Sequence, residues 1–334
     1  MKDLIKKLVE ITGPSGYETK VRELVRAEIE SYADEIRVDP LGNLIARKGA
    51  VKAQGANVGK RMMISAHMDE IGIVVTHVDK NGFARFTNIG GVYPRNCVGG
   101  RVRFLNGAQG VIGLEKGANA SPALSEMYID LGATHPKDCP VKIGDIAAFE
   151  RPFVDLGNRL VSKAMDDRIG VAVAIETLRQ IKSTPHEISF VFSVQEEVGL
   201  RGATTSAFGV DPDIGIAIDV TASGDTPKGL KMEVGLGKGA AIKVRDGGML
   251  SDPRVVDWMV KTAEKKNIPH QLEILEGGTT DARAIQTSRA GVPAGCLSIP
   301  CRYVHSPSEM VDFNDVQNGI KLLVAMLSHP VQLS

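Results

Sequence analysis

The sequence contains few aromatic residues and few cysteines. Phe, Trp and Tyr make up 4% of its 334 residues, and the single tryptophan is Trp258. Sugar-binding clefts usually need aromatic platforms, so this composition argues against a glycoside hydrolase. The four cysteines form no Cys-x-x-Cys pair. We expect reduced thiols and a cytoplasmic location, because disulfides are rare in reducing compartments.

Long apolar runs and an excess of one charge are also absent. No run suits a membrane span, and the N-terminal pattern MKDLIKKLVEITG is an amphipathic helix rather than a signal peptide. Basic and acidic residues number 40 each, so nothing indicates nucleic acid or an anionic membrane as a partner. With 43% hydrophobic residues, the chain is long enough for a substantial core and two domains.

Apolar segments at 61–66, 187–194, 214–219 and 292–299 predict strands, and helical patterns separate most of them. Near-continuous apolar strands are typical of a buried sheet, so we predict a doubly wound, mostly parallel α/β sheet with helices on both faces. The other predicted elements are two helices within 1–30, a hairpin at 36–47, a loop at 49–60, a strand at 271–275, and helices at 167–181, 252–267 and 312–328.

The N-terminal helices are predicted from apolar spacing and from a capping pattern. One face of the first helix holds four apolar residues, Leu4, Ile5, Leu8 and Val9. Ser15 and Glu18 resemble a capping box that begins the second helix. The inner face of that helix is expected to hold Val21, Leu24, Val25 and Ile29.

Residues 72–158 differ from the rest of the chain. They combine short β-like runs with many glycines and show no long helical period. This pattern predicts a small all-β domain inserted into a larger domain that is formed by residues 1–71 and 159–334.

Five possible metal ligands stand mostly where predicted strands or apolar runs end: His67, Asp166, Glu197, Asp219 and His305. In open α/β sheets, ligands bind beyond the carboxyl ends of the strands, so these side chains are expected to converge. Imidazole and carboxylate groups suit Zn²⁺, Co²⁺ or Mn²⁺. Two histidines and three carboxylates suit two divalent ions that share one bridging carboxylate.

Two further acidic residues complete the predicted site. Glu196 stands beside Glu197 and suits a general base that takes a proton from water. Asp69 follows His67 by two residues and suits an acceptor for the second ring N–H of that histidine. Each motif alone has a simpler explanation, since acidic residues favour helix N-termini and the Glu pair is compatible with a solvated turn. Their joint order favours a hydrolase.

The segment Gly277-Gly278-Thr279-Thr280-Asp281 follows a predicted strand and precedes a helix. We expect it to line the substrate site, with Gly278, Thr279 and Asp281 as candidate contacts. An ordinary strand–helix turn capped by Thr280 or Asp281 is also compatible with the pattern, and the two interpretations can hold together. Arg302 and Tyr303 suit either substrate contact or loop packing. Cys296 and Cys301 are expected to pack as small hydrophobic residues rather than bind metal.

Six segments together resemble the M42 family of metallo-aminopeptidases, within the co-catalytic metallopeptidase clan. They are SAHMDEIG (65–72), SKAMDDRIG (162–170), VQEEVGLRGA (194–203), IAIDV (216–220), GGTTDA (277–282) and IPCRYVHSPSEM (299–310). The segments are spread over nearly the whole chain, and the set is far more specific than any one member.

The resemblance implies a role for each matched residue. Asp166 would bridge two divalent metal ions (zinc or cobalt, or manganese), and its peptide bond to Asp167 would be cis. His67 and Asp219 would complete the coordination of one ion, and Glu197 and His305 would complete that of the other. Glu196 would be the general base. The resemblance also implies an inserted β-barrel-like dimerisation domain and homo-oligomers, including tetrahedral particles of twelve subunits.

These features predict removal of N-terminal residues from peptides. Three alternatives remain open from the sequence. One is a deacylase or carboxypeptidase of the same clan, since the same ligand order serves either. Another is an endoglucanase, with Glu196 and Asp219 as acid and base. The third is an assembly protein that metal ions stabilise.

Overall fold

The computed structural model of the protein describes residues 1–50, 59–117, 121–331 and 333. Its α-helices within these ranges are α1 (Lys2–Glu10), α2 (Thr19–Ile29), α3 (Met165–Gln180), α4 (Arg201–Val210), α5 (Pro253–Lys265), α6 (Asp281–Gln286) and α7 (Phe313–Leu327). None of the described helices has the length and hydropathy that a membrane span requires. The predicted loop at 49–60 falls largely on residues 51–58, which lie outside the described residues.

The strands form one large mixed sheet and one closed barrel. The sheet contains β1 (Glu35–Val38), β2 (Leu44–Lys48), β3 (Arg61–His67), β10 (Val154–Leu156), β11 (Arg159–Ser162), β12 (Glu187–Ser193), β13 (Ile214–Ala222), β14 (Ala240–Arg245), β15 (His270–Ile274), β16 (Ala294–Arg302) and β17 (Glu309–Asp312). The barrel contains β4 (Gly72–Val78), β5 (Ala84–Ile89), β6 (Arg101–Phe104), β7 (Gln109–Leu114), β8 (Met127–Asp130) and β9 (Ile146–Glu150).

The centre of the large sheet is parallel. Strands β12, β3, β13 and β16 are neighbours in this order and all run in the same direction. Their carboxyl ends therefore meet at one edge of the sheet. Antiparallel pairing of β1 with β2 and of β17 with β11 extends the sheet on either side, so it is mixed overall.

Side chains that alternate along β3 explain how helices cover both faces. Met62, Ile64 and Ala66 belong to the main core, which also receives the buried sides of α1, α3, α5 and α7. Met63 points to the opposite face and packs near Ala207 of α4 and Ile285 of α6. The predicted apolar face of α1 is confirmed, because Leu4, Ile5, Leu8 and Val9 are all buried.

The barrel has its own hydrophobic core, in which Ile73, Val102, Ile129 and Ala147 are fully buried. Its strands span residues 72–150, whereas β10 at residues 154–156 pairs with β11 in the large sheet. The chain therefore leaves the barrel after residue 150 and enters the large sheet at β10. The domain boundary at residue 158 stays a prediction.

The predicted capping box before α2 is wrong. The N-cap of α2 is Glu18, which makes no side-chain capping hydrogen bond. Ser15 instead donates a hydrogen bond to Asp69 Oδ2 at 2.6 Å, and Glu18 Oε1 accepts from the amide nitrogen of Gln195 at 3.1 Å. Glu18 Oε1 also accepts from the nearby Gly16 amide at 2.7 Å. The Ser15 hydroxyl therefore makes a long-range contact with Asp69, whereas the Glu18 carboxylate makes one local and one long-range contact.

Several elements were missing from the sequence-based prediction, namely α4, β14 and β17. Another difference concerns Asp219, which was expected to close its strand. Strand β13 continues for three more residues, to Ala222, and Asp219 lies within it. Asp219 is paired with Ser298 of β16, and the pairing of the two strands continues to Ala222.

Candidate active site

The predicted ligands converge at the carboxyl edge of the parallel strands. His67 ends β3, the Glu196–Glu197 pair follows β12, Asp219 lies in β13, His305 lies in the loop after β16, and Asp166 lies at the start of α3. Parallel pairing places His67 directly opposite Ser193, the last residue of β12. Residues separated by up to 238 positions, from His67 to His305, thus share one edge of the sheet.

Asp166 lies at the centre of this group. Its Oδ1 is 3.0 Å from Nε2 of His67, and its Oδ2 is 3.2 Å from Nε2 of His305. One carboxylate thus faces two imidazoles through different oxygens. The peptide bond between Asp166 and Asp167 is cis.

Two sets of three possible ligands share Asp166. The first set is His67, Asp166 and Asp219, and the second is Asp166, Glu197 and His305; within each set the ligand atoms lie within 4.8 Å of one another. Glu197 Oε1 is buried and has no hydrogen-bond partner among the residues that the structure describes. Buried polar atoms are normally satisfied, so this oxygen is suited to a cation. The nitrogen and oxygen ligands present therefore fit two divalent ions that share one carboxylate.

Glu196 lies next to His67, a member of the first set. Its Oε2 is 3.9 Å from Nε2 of His67, and its side chain lines the cavity described below. Burial raises the pKa of Glu196 well above its ordinary value, and the negative charge of Asp219 acts in the same direction. A carboxyl group with a raised pKa binds its proton more tightly than an exposed glutamate does.

Asp69 connects His67 to the Glu196–Glu197 pair. His67 Nδ1 lies 3.2 Å from the main-chain carbonyl oxygen of Asp69 and 3.4 Å from its Oδ1. The same Oδ1 accepts a hydrogen bond from the Glu196 amide at 3.0 Å. Asp69 Oδ2 accepts from the Glu197 amide at 3.1 Å and from Ser15 Oγ at 2.6 Å. Asp69 is fully buried, so it orients one histidine and the backbone of two acidic residues without access to solvent.

The charges of the site shift the pKa values of its members. Burial opposes protonation of His305, but the carboxylates of Asp166 and Glu197 outweigh it and raise the pKa of His305 to about 12. For Asp166, burial acts to raise the pKa, but hydrogen bonds with His305 and His67 outweigh it and hold the pKa below its ordinary value. The central carboxylate is therefore ionised and available as a ligand.

Glu309 is a site residue that the sequence-based prediction did not identify. Its Oε2 accepts a hydrogen bond from the Asp166 amide at 3.0 Å, and its Oε1 accepts from the His305 amide at 2.8 Å. The side chain is 2% exposed. It therefore fixes the backbone of two predicted ligands. The available signal was an acidic residue four positions after His305, at the start of a short strand.

A cavity of about 1300 Å³ opens beside the predicted ligands. Gly277, Gly278, Thr279 and Thr280 line one wall, which places the predicted contacts Gly278 and Thr279 at its surface. The side chain of Asp281 is 2% exposed and lies away from this wall, and its Oδ2 accepts a hydrogen bond from Ser65 Oγ at 2.6 Å.

The remaining residues singled out in this region have structural contacts. Thr280, rather than Asp281, caps α6. Arg302 forms a two-pronged ion pair with Asp225, at 2.9 and 2.8 Å, and thus packs the loop. Cys296 and Cys301 are buried among apolar residues, as expected for small hydrophobic side chains. Burial raises the pKa of the Cys301 thiol well above its ordinary value.

Comparison with known proteins shows close similarity over nearly the whole chain. Residues 42–322 match the family model described as M42 glutamyl aminopeptidase. A provisionally named aminopeptidase of Acetivibrio thermocellus is 47% identical over 329 residues, which cover 97% of each chain.

Two solved structures show that the similarity extends to the fold. Aminopeptidase APDkam598 from the archaeon Desulfurococcus kamchatkensis has a TM-score of 0.93 at 42% identity, covering 98% of this chain and 94% of that one. The TET1 peptidase of Pyrococcus horikoshii, which can assemble into a tetrahedron or a large octahedral shell, has a TM-score of 0.86 at 33% identity, covering 98% of each chain. The predicted α/β fold with an inserted β-barrel is confirmed.

Proposed function

The chain belongs to the M42 glutamyl aminopeptidase family, and we propose that it removes N-terminal residues from peptides by hydrolysis at a site for two metal ions. One observation carries this proposal. Asp166 faces His67 through one oxygen and His305 through the other, and Glu196 stands beside this group at the cavity. This arrangement supports a bridging ligand with an adjacent proton acceptor.

The metal ligands follow from the two sets that share Asp166. His67 and Asp219 would hold one ion, and Glu197 and His305 would hold the other. Zn²⁺, Co²⁺ and Mn²⁺ all suit these nitrogen and oxygen ligands. When bound, two such ions would supply Lewis acidity that polarises a peptide carbonyl and acidifies water.

Glu196 would act as the general base and then as the general acid in this reaction. Its carboxylate would accept a proton from the attacking water and pass it to the departing amine. The main-chain carbonyl and the carboxylate of Asp69 would keep His67 in the tautomer that carries the proton on Nδ1, leaving Nε2 free to bind metal.

The substrate would lie in the cavity with its free amine toward the predicted metal ligands and Glu196. Nearby carboxylates, together with one bound metal ion, would hold the free α-amine, which supports recognition of a peptide N-terminus. Gly278 and Thr279, which line the same cavity, would contact the remainder of the peptide. The peptide would therefore bind with its N-terminus near the metal ligands and its remaining residues near Gly278 and Thr279.

A substrate panel tests the proposal. The chelated enzyme is reconstituted separately with Zn²⁺, Co²⁺ and Mn²⁺, and each form is assayed on aminoacyl-anilides, N-acyl amino acids and cellulose. We expect hydrolysis of the anilides by at least one form and none by the chelated enzyme. Turnover confined to N-acyl amino acids would instead establish a deacylase. Cellulose hydrolysis that survives chelation would establish an endoglucanase.

The endoglucanase alternative gains no support from the cavity. Among the described residues that line it, Tyr93 is the one Phe, Tyr or Trp side chain. Stacking platforms for a sugar chain need several such rings. The aminopeptidase proposal is therefore preferred.

We further propose that the protein is a homo-oligomer whose inserted domain, residues 72–158, forms the dimer contact. Assembly of the Pyrococcus horikoshii TET1 peptidase into closed shells supports this proposal. Light scattering coupled to gel filtration tests it, because a dimer and a particle of twelve subunits differ sixfold in mass. A monomer at working concentration would refute the proposal.

A further inference from the structure

Gly91, in the loop that follows strand β5 of the barrel, lies against the imidazole of His305. A methyl group built on Gly91 would be 2.3 Å from Nδ1 and 2.5 Å from Cε1 of that ring. Real side-chain atoms do not approach so closely, so any residue larger than glycine must displace the ring or the loop. The backbone of Gly91 does not have a positive φ, so close approach is the property that requires glycine here.

The preceding residue makes a similar contact with a second candidate ligand. A methyl group built on Gly90 would be 3.0 Å from both Cβ and Oε2 of Glu197. The carbonyl of Gly90 accepts a hydrogen bond from Asn88 Nδ2 at 2.7 Å, which holds the loop in place. The barrel thus contacts both ligands that belong to the second set with Asp166.

A third contact involves the backbone of His305, which has a φ of +59°. Non-glycine residues seldom adopt this left-handed conformation and need surrounding contacts to hold them there. The carbonyl of His305 accepts a hydrogen bond from Asn96 Nδ2 at 3.2 Å, and its amide donates to Glu309 Oε1 at 2.8 Å. One of these two anchors belongs to the barrel.

We propose that the barrel loop formed by residues 90–96 is a positioning element for the second metal ion, the one assigned to Asp166, Glu197 and His305. This inference rests on the proposed function. His67 and Asp219, assigned to the first ion, are carried by strands β3 and β13 of the large sheet. The two ions should therefore respond differently to a change in the barrel loop.

The substitution Gly91→Ala tests this difference in the full-length protein. Zn²⁺ is titrated into chelated wild-type and variant protein by calorimetry, with bound metal counted by mass spectrometry. Wild-type protein should bind two ions per chain. In the variant, one ion should bind about tenfold to 100-fold more weakly, the usual range when groups that orient metal ligands are changed, and the other should be unaffected.

Two further variants separate positioning from a general loss of stability. Asn96→Ala removes the hydrogen bond to the His305 carbonyl without adding volume, and it should weaken the same ion. Gly209→Ala is the matched control, because a methyl group there would meet no atom of the described part of the chain within 4 Å. Thermal unfolding of the metal-free proteins checks that each variant is folded before the titration. If Gly91→Ala fails to fold, the Asn96→Ala titration decides.

The outcomes distinguish this inference from the proposed function. Variants that bind both ions as wild type does, or that weaken both equally, would overturn the role of the barrel loop while leaving a two-metal enzyme intact. Wild-type protein that takes up no Zn²⁺, Co²⁺ or Mn²⁺ would overturn the proposed function and this inference with it. Selective loss of one ion supports both.

Discussion

Asp69 Oδ1 accepts a hydrogen bond from the main-chain amide of Glu196, with 3.0 Å between oxygen and nitrogen. The same oxygen lies 3.4 Å from Nδ1 of His67. One buried carboxylate therefore connects a proposed metal ligand to the proposed base, and a change at Asp69 should affect both metal binding and proton transfer.

Replacing Glu196 with glutamine should remove catalysis while preserving the metal site. Glutamine has nearly the same shape but cannot accept the proton from water, so kcat should fall by about 10²-fold or more. Bound metal, measured by mass spectrometry, should stay at the wild-type level. Glu264→Gln, an exposed change on α5, is the control. Wild-type turnover by Glu196→Gln would remove this residue from the mechanism.

The Asp69→Asn substitution should weaken metal binding as well as turnover. The amide NH₂ of asparagine would face an N–H group that now donates to Asp69, so the contacts to Glu196 and Glu197 cannot both persist. We expect metal affinity to fall by about 10-fold to 100-fold. Ser15→Ala removes one donor to Asp69 and should have a smaller effect. Equal affinities of Asp69→Asn and wild type in a chelator competition would contradict this.

Metal affinity should fall as the pH falls. In the metal-free site, burial opposes protonation of His305, but Asp166 and Glu197 outweigh it and raise its pKa to about 12, so the imidazole carries a proton at neutral pH. The pKa of His67 is also raised, because nearby carboxylates outweigh the opposing effect of burial. A metal ion binds only the neutral ring, so binding must release protons.

Calorimetry in buffers of different ionisation enthalpy measures this proton release directly. Burial also raises the pKa values of Asp219 and Glu197, so their protons would leave in the same direction. Metal binding should therefore release protons from every ligand except Asp166, whose lowered pKa keeps it ionised. A metal affinity that does not change between pH 6 and pH 8 would contradict these protonation states.

The ion pair between Asp225 and Arg302 should stabilise the protein above about pH 4. The hydrogen bond with Arg302 is the main cause of the lowered pKa of Asp225. A carboxyl group whose folded pKa lies below its unfolded value contributes stability above the unfolded value, about 3.9, and loses it as the pH falls toward the folded value. The pair is partly exposed, so solvent screening limits its contribution to about 1 kcal/mol.

Asp225→Asn should therefore lower the melting temperature at pH 7, and the difference from wild type should shrink as the pH falls below 4. Asp257→Asn is a suitable control, because Asp257 forms an exposed pair with Lys261 whose side chains are 61% and 62% exposed. An equal effect of the two substitutions at pH 7 would show that the Arg302 contact has no special contribution.

Some parts of the site were predictable because their signals are local. A histidine or carboxylate that follows an apolar run is visible in the sequence, and parallel strands bring such positions together at one edge. Glu309 gave no comparable signal, because it acts by accepting main-chain amides of Asp166 and His305. The misassigned Ser15 shows the reverse, since a pattern suited to local capping serves a tertiary contact with Asp69.

The sequence by itself determined the alternation of helices and strands, the inserted β-rich segment, and the kinds of side chain available for metal binding. These follow from hydrophobic periodicity and from chemistry carried by single residues. Only the tertiary structure decided that Asp166 faces two histidines, that Asp281 packs against serines of the sheet, and that Gly91 of the barrel abuts His305. Such relationships depend on distances between remote segments, and no periodic pattern along the chain encodes them.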